Sequence, residues 1–399
     1  MAEHAGDTMS DSYTETTTKS WTTRIGESIK GVLFGLALVA GSGVFLFWNE
    51  GRAVQTQRSL TEGASLVVTV EPASVDAANE GKLVHLNGDI KPGAPLADSD
   101  FTVSATALRL VRTVEMYQWK EDQKSETRRT SGGGEETVTV YEYNRTWSET
   151  RYDSSRFKRP DGHANPEMRY RSASYTSRDA TLGAFRPGTN VVERLPADDA
   201  VPLDPALATA LQGRVKGPVH VADGRIYLGD NPTTPRVGDL RVGFKLTPGG
   251  PVSIIARQAG TGFADYQTKA GDRLLIVKPG TQSAAEMFSA AQWENRILTW
   301  LMRFAGVVAM FFGFFLILNP LVVVADIVPF LGGILTAGAG IVSLTLTAII
   351  APVIIAIAWL WYRPLVSIVV LAIGFGIAYF LKRRASQKAA AQRAQTAPA

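Results

Sequence analysis

Apolar and polar positions fall into blocks along this chain. From Gly31 to Trp48 no residue is charged, and from Ile297 to Leu381 only Arg303, Asp326 and Arg363 are. Between Asn49 and Arg296 the chain is polar, with short runs of β-branched and aromatic residues. Crossing about 30 Å of hydrocarbon takes about 20 apolar residues as helix. Backbone in lipid must satisfy its own hydrogen bonds, which makes those segments helical. The first block predicts one span, 31–48. The second has room for three, divided at Asn319-Pro320 and at Tyr362-Arg363-Pro364, because proline breaks the helical ladder. The expected spans are 299–319, 335–360 and 364–381, with Pro352 as a kink. Residues 325–334 read as an interfacial or re-entrant connector.

The block in between reads mostly as strands: Leu66–Val70, Ala107–Trp119, Thr137–Tyr143 and Leu274–Val277. Asn87-Gly88 and Asp223-Gly224 each follow a short apolar run containing a histidine, and such dipeptides favour two-residue hairpin turns. Their similarity raises an internal duplication, echoed in Phe101–Gln118 and Leu240–Gln258. Lys120–Pro187 is expected as a protruding hairpin around Ser131-Gly132-Gly133-Gly134, followed by an irregular basic stretch. Ser283-Ala-Ala-Glu286 matches a capping box and predicts a helix from about 284 running into the second span. Residues 1–22, rich in Ser, Thr, Asp and Glu, read as a disordered tail, and 382–399 as a basic disordered tail. In the first span, Gly31/Gly35 and Ala37/Gly41 have the spacing that lets helices approach closely.

Composition changes this picture only slightly. A mean hydropathy of +0.03 averages a polar domain with greasy helices. The formal charge of +4 suits anionic lipid headgroups better than nucleic acid. With no Cys, disulfides, thiolate catalysis and Cys-ligated metals are excluded. Lys382, Arg383, Arg384 and Lys388 place the C-terminus in the cytoplasm by the positive-inside rule. Four spans return the N-terminus to the same side, so the domain 49–296 is expected outside the cytoplasm. The expected fold class is thus an α+β membrane protein, with four transmembrane helices and a large β-rich extracytoplasmic domain between helices 1 and 2.

Phe47-Trp48-Asn49-Glu50-Gly51-Arg52-Ala53, Ser59-Leu60-Thr61-Glu62-Gly63, Gly81-Lys82-Leu83-Val84-His85, Val114-Glu115-Met116-Tyr117-Gln118-Trp119 and Trp359-Leu360-Trp361-Tyr362-Arg363-Pro364-Leu365 occur in this order. Together they resemble the LUMA family (transmembrane protein forty-three family), over about residues 31–384. The resemblance implies four membrane passes, one large lumenal or extracytoplasmic domain, and a role in organising membrane assemblies rather than a defined enzymatic one. In eukaryotes the family sits in the endoplasmic reticulum and inner nuclear membrane and is associated with nuclear-envelope proteins and lamins. The absence of Cys and the Ala-rich tail point to a bacterial member. That implies a cell inner membrane location with the domain periplasmic or extracellular, and lamin partners would not carry over.

No HExxH, G-x-S-x-G or P-loop pattern occurs, and no cofactor is expected. His4, His85, His163 and His220 are too dispersed for a local metal motif, although His85 and His220 could meet if their hairpins paired. Trp48, Glu50 and Arg52 form a candidate membrane-interface clamp, with an interfacial belt residue and merely interfacial charges as the simpler reading. Charges inside a membrane are costly and usually paired or functional, which singles out Arg303, Asp326 and Arg363. Arg303 could snorkel to the outer edge. Asp326 would lie near the cytoplasmic face, and a re-entrant connector would make it a candidate ion site beside the Gly-rich segment 332–340. The leading expectation is a membrane scaffold whose partners are lipids, other membrane proteins and further copies of the chain, without nucleic acid. The alternative is an ion-conducting or transport protein with a path near Asp326.

Overall fold

In a computed structural model, residues 11–130, 132–365 and 368 are described. The fourth expected span and the basic C-terminal tail lie essentially outside these residues, as do residues 1–10. The chain divides into two compact units. One comprises residues up to Thr18, Ser59–Arg128 and Glu135–Ala291; the other comprises Lys19–Arg58, Arg129–Gly134 and the chain from Gln292 onward.

The longer or central strands of the β-rich unit include β1 (Asp11–Lys19), β2 (Leu83–Lys91), β3 (Arg109–Arg129), β4 (Glu135–Ser148), β5 (Val219–Ala222), β6 (Arg225–Leu228), β7 (Leu240–Thr247) and β8 (Gly250–Ala259). One sheet runs in the order β1-β4-β3-β7-β6-β5. A second is centred on β8, which pairs with β2, Gly262–Ala264 and Ile276–Pro279. In β3 the positions from Leu110 to Gln118 alternate between buried and half-buried, the period that a sheet with one buried face imposes. Leu110, Val114 and Met116 join Ile226, Leu228, Leu240 and Val242 in one core. Val84, Leu86, Ile90, Ile254, Phe185 and Phe263 form another beneath the second sheet.

Asp223-Gly224 is the expected hairpin turn: it links β5 to β6 with φ of 51° and 67°, as a two-residue turn requires. Asn87-Gly88 is not a turn. It lies within β2, paired across to Ser253 and Val252, and a Cβ on Gly88 would stand 2.9 Å from Leu182 and 3.3 Å from Pro72. The glycine serves a close approach, a common reason for glycine within a strand. The two similar segments therefore occupy different structural roles. The long hairpin of β3 and β4 forms where expected.

Residues 11–19 form a strand rather than a disordered tail. A Thr-rich polar sequence suits an edge strand, needing only one covered face and one paired edge.

The helices are α1 (Trp21–Leu66), α2 (Ala284–Ala325) and α3 (Pro329–Tyr362). The capping box is present: Ser283 N–H donates to Glu286 Oε2 at 2.7 Å, and Glu286 N–H to Ser283 Oγ at 3.3 Å. Leu60 of α1 and Met287 and Phe288 of α2 pack on Leu83, Ile255 and Leu274 within the β-rich unit. Two boundaries differ from the sequence reading. Pro320 sits inside α2, which continues to Ala325, and α3 begins at Pro329, leaving three residues where a ten-residue connector was expected. Proline is compatible with the first turn of a helix because its missing N–H would have no partner there. Three helices among the described residues are long and apolar enough to cross a membrane, and the expected four are not matched there.

Candidate functional site

The helical unit places charged side chains against one another. Glu50, fully buried, lies on α1 one turn beyond Leu46. Arg303 of α2 donates to both its oxygens, Nε to Oε1 at 2.6 Å and Nη2 to Oε2 at 2.8 Å. Trp359 of α3 donates its indole N–H to Oε2 at 2.8 Å. One carboxylate thus ties three helices, with the guanidinium between the rings of Trp300 and Trp359. Two parallel charge-assisted bonds fix orientation as well as energy.

Arg52 lies beside this layer. It donates to Asn295 Oδ1 at 3.1 Å, Asn49 Oδ1 at 3.2 Å and Thr299 Oγ1 at 3.0 Å. Asn295 in turn donates to the Ala53 carbonyl. Glu50 and Arg52, expected to act as one clamp, therefore belong to adjacent but separate networks. Trp48 is half-exposed and joins neither. Tyr362 closes over Gly51, where a Cβ would come within 2.6 Å of its ring, and its carbonyl accepts from Arg58 at 2.8 Å. Arg363 caps α3, its N–H donating to the Trp359 carbonyl at 2.7 Å.

A second cluster surrounds Asp326, which is buried at the end of α2. Arg24 meets its Oδ2 at 2.7 Å and Arg129 its Oδ1 at 2.8 Å. Arg24 also donates to the Gly133 carbonyl. The three-residue link to α3 is too short to re-enter a bilayer, and Asp326 is held by two arginines. Arg129 follows the first span in sequence, whereas Arg24 precedes it. Likewise β1, which precedes the span, shares a sheet with strands that follow it. The expected separation of the N-terminal tail from the domain by a bilayer gains no support from these contacts.

Of the expected small-residue contacts, Gly35 is realised: a Cβ there would lie 2.7 Å from the Gly313 carbonyl of α2. Gly31 and Gly41 have open space beside them.

Among the described residues of the β-rich unit the histidines do not converge. His85 bonds the Gln282 carbonyl through Nε2 at 3.0 Å, His220 lies beside Tyr227, and His163 contacts Asp11. No group of His, Asp and Glu that could hold a metal occurs among the described residues. Arg112 is buried on β3 and pairs with buried Asp98, whose carboxylate also accepts from Tyr175. Burial and this carboxylate together raise the Tyr175 phenol. Glu115 is held below the ordinary carboxylate range, first by Arg241 and then by Arg225, against the opposing effect of burial.

A β-rich unit inserted between apolar helices, with buried ion pairs between those helices, defines a multi-pass membrane protein. The family model described as Transmembrane protein 43 matches residues 116–364, and the chain belongs to that family. Transmembrane protein 43 of Mus musculus is 34% identical over 358 residues, covering 86% of this chain and 87% of its own. The Homo sapiens protein is 33% identical over 363 residues, covering 87% and 88%. The Drosophila melanogaster homolog is 30% identical over 365 residues, covering 86% and 91%. No solved structure matches. The resemblance seen in the sequence motifs is thereby borne out.

Proposed function

We propose that this chain is a non-enzymatic membrane scaffold that gathers lipids, membrane proteins or copies of itself. The observation that carries this reading is that the buried charges of the helical unit pair with each other. Glu50 is matched by Arg303 and Asp326 by Arg24 and Arg129, so they hold helices together and are not left facing a path. Large apolar side chains remain exposed on the helices, among them Leu33, Phe34 and Val44 on α1 and Ile341, Leu344 and Ile349 on α3. Lateral association proceeds through such faces, with open glycines such as Gly41 allowing close approach.

The natural absence of Cys makes a direct test possible. Gly41→Cys in native membranes, treated with a short bis-maleimide that alkylates two thiols, should give a cross-linked product, while Gly35→Cys, covered by α2, should not. Monomer alone from Gly41→Cys would contradict the proposal. The basic cluster after Leu381 favours a cytoplasmic C-terminus, and in this reading the β-rich domain lies on the opposite face. Thiol labelling of Asp223→Cys and Ser386→Cys from opposite sides would support that orientation, and labelling of both from one side would reject it.

A further inference from the structure

Glycine inside a strand weakens it, and its presence there often answers a demand for space. Gly243 lies in the middle of β7, paired with Thr113 of β3. It sits on the face of the sheet away from the core, between half-buried Arg241 and exposed Lys245. Its φ is outside the left-handed region, so backbone conformation does not call for glycine. Nor does the protein come close: a Cβ here would find its nearest neighbour, Cγ of Arg225, at 3.9 Å. At Gly88 a leucine and a proline take up the room that glycine leaves. At Gly243 the room stays open, as a hollow of about 620 Å³.

Thr113 and Gly243 make the floor of this hollow, and its walls carry both signs of charge. Glu115, Glu149 and Asp223 bring carboxylates, and Arg225 and Lys245 bring cations. Glu115 is already fixed in place. Arg241 donates to it through Nε at 2.6 Å and Nη2 at 2.9 Å, and Arg225 through Nη1 at 2.9 Å. The Thr113 hydroxyl, the Asp223 carboxylate and the Lys245 ammonium have no partner among the described residues. A second hollow, of about 330 Å³, shares Asp223 and Arg225 with the first and is lined by Trp147, Tyr227 and Pro232. Its rings are held: Arg241 lies 4.6 Å from the centre of Trp147, and the Tyr227 hydroxyl donates to Asp239.

We propose that the two hollows form a binding site for a neutral saccharide of two sugar units. Both volumes fall within the range of about 300–1,000 Å³ usual for ligand pockets. The three carboxylates are balanced by Arg225, Arg241 and Lys245, so the site has no excess charge with which to select an ion. Donors and acceptors instead stand side by side around a small floor. Each sugar hydroxyl both donates and accepts, and adjacent hydroxyls can bridge a carboxylate and a cation through charge-assisted bonds. The Glu115 ion pairs hold their side chains before any ligand arrives, which leaves less ordering to be done on binding. Trp147, Tyr227 and Pro232 offer apolar surface for the C–H face of the second unit. Such a site goes beyond the scaffold role and does not depend on it.

The test is titration of the full chain in nanodiscs with maltose, lactose and N,N′-diacetylchitobiose, followed by calorimetry and Trp fluorescence. At least one should bind saturably. Gly243→Leu fills the floor and, with open space around it, should keep the wild-type circular dichroism while abolishing binding. Lys245→Met should weaken binding about tenfold or more, as expected for one hydrogen bond to a charged group. Lys91→Met, an exposed change in the other sheet, should have no effect. Nanodiscs carrying a galactosyl diacylglycerol distinguish two sources of the sugar. Competition with the soluble ligand assigns the site to a lipid headgroup, and unchanged soluble affinity assigns it to a free saccharide. No binding of the three sugars or of the glycolipid would overturn the proposal. So would unchanged affinity in Gly243→Leu, or binding of glucose 1-phosphate or glucosamine about tenfold tighter than the neutral sugars.

Discussion

Removing the Glu50 carboxylate is the most demanding perturbation of the helical unit. Glu50 is fully buried and the Arg303 side chain is 15% exposed, so Glu50→Ala strands a largely desolvated guanidinium. Breaking a buried pair from one side costs about 3–5 kcal/mol. The Trp359 indole loses its acceptor as well, for about 1 kcal/mol more. Glu50→Gln keeps an acceptor oxygen and should cost only about 1.5–3 kcal/mol, the range of a hydrogen bond to a charged group. Replacing both partners by apolar residues, Glu50→Leu with Arg303→Met, should be far milder than Glu50→Ala, because no charge is left unpaired. The assay is reversible unfolding in mixed lipid–detergent micelles, followed by Trp fluorescence. A double-mutant cycle isolates the coupling, expected at about 2–3 kcal/mol. A Glu50→Ala chain within about 0.5 kcal/mol of wild type, the scatter of an ordinary surface substitution, would refute the reasoning, as would strict additivity in the cycle.

Five further substitutions have expected outcomes. Gly35→Val should destabilise the helical unit by about 1–3 kcal/mol through overpacking, because its Cβ would stand 2.7 Å from the Gly313 carbonyl. Gly41→Val, with open space beside it, should be near neutral in the same unfolding assay. Glu115 has a depressed folded-state pKa, so its stabilisation is present above about pH 4.3, the ordinary Glu value, and is lost as pH falls through the folded value. Acid unfolding of Glu115→Gln should therefore show a shallower decline below that pH than wild type. Gly183 has φ of +59° and a would-be Cβ 2.0 Å from the Pro72 carbonyl. Gly183→Ala should lower the melting temperature clearly, whereas Gly224→Asn should be tolerated because asparagine accepts positive φ.

What the sequence revealed was mostly local. The capping box at Ser283 and the Asp223-Gly224 turn are set by neighbours within four residues, and both form as read. Blocks of apolar residues marked the three described membrane helices because their signal is a sum over many positions. Contacts distant along the chain were not legible. Glu50 and Arg303 each drew attention as a charge beside lipid, yet nothing in either neighbourhood announces a partner 253 positions away. The same holds for Asp326 with Arg24 and Arg129. Asn87-Gly88 misled because glycine answers two demands, a positive φ in a turn or a close approach in a strand, and here Leu182 and Pro72 impose the second. β1 was read as disorder because an edge strand, paired along one side only, can be polar throughout.

The scaffold reading is tested most directly by the mass of the full chain extracted into native nanodiscs, with co-extracted proteins and lipids identified. The account predicts a defined oligomer, or the same membrane proteins recovered in repeated preparations. A monomer accompanied by lipid alone would contradict it.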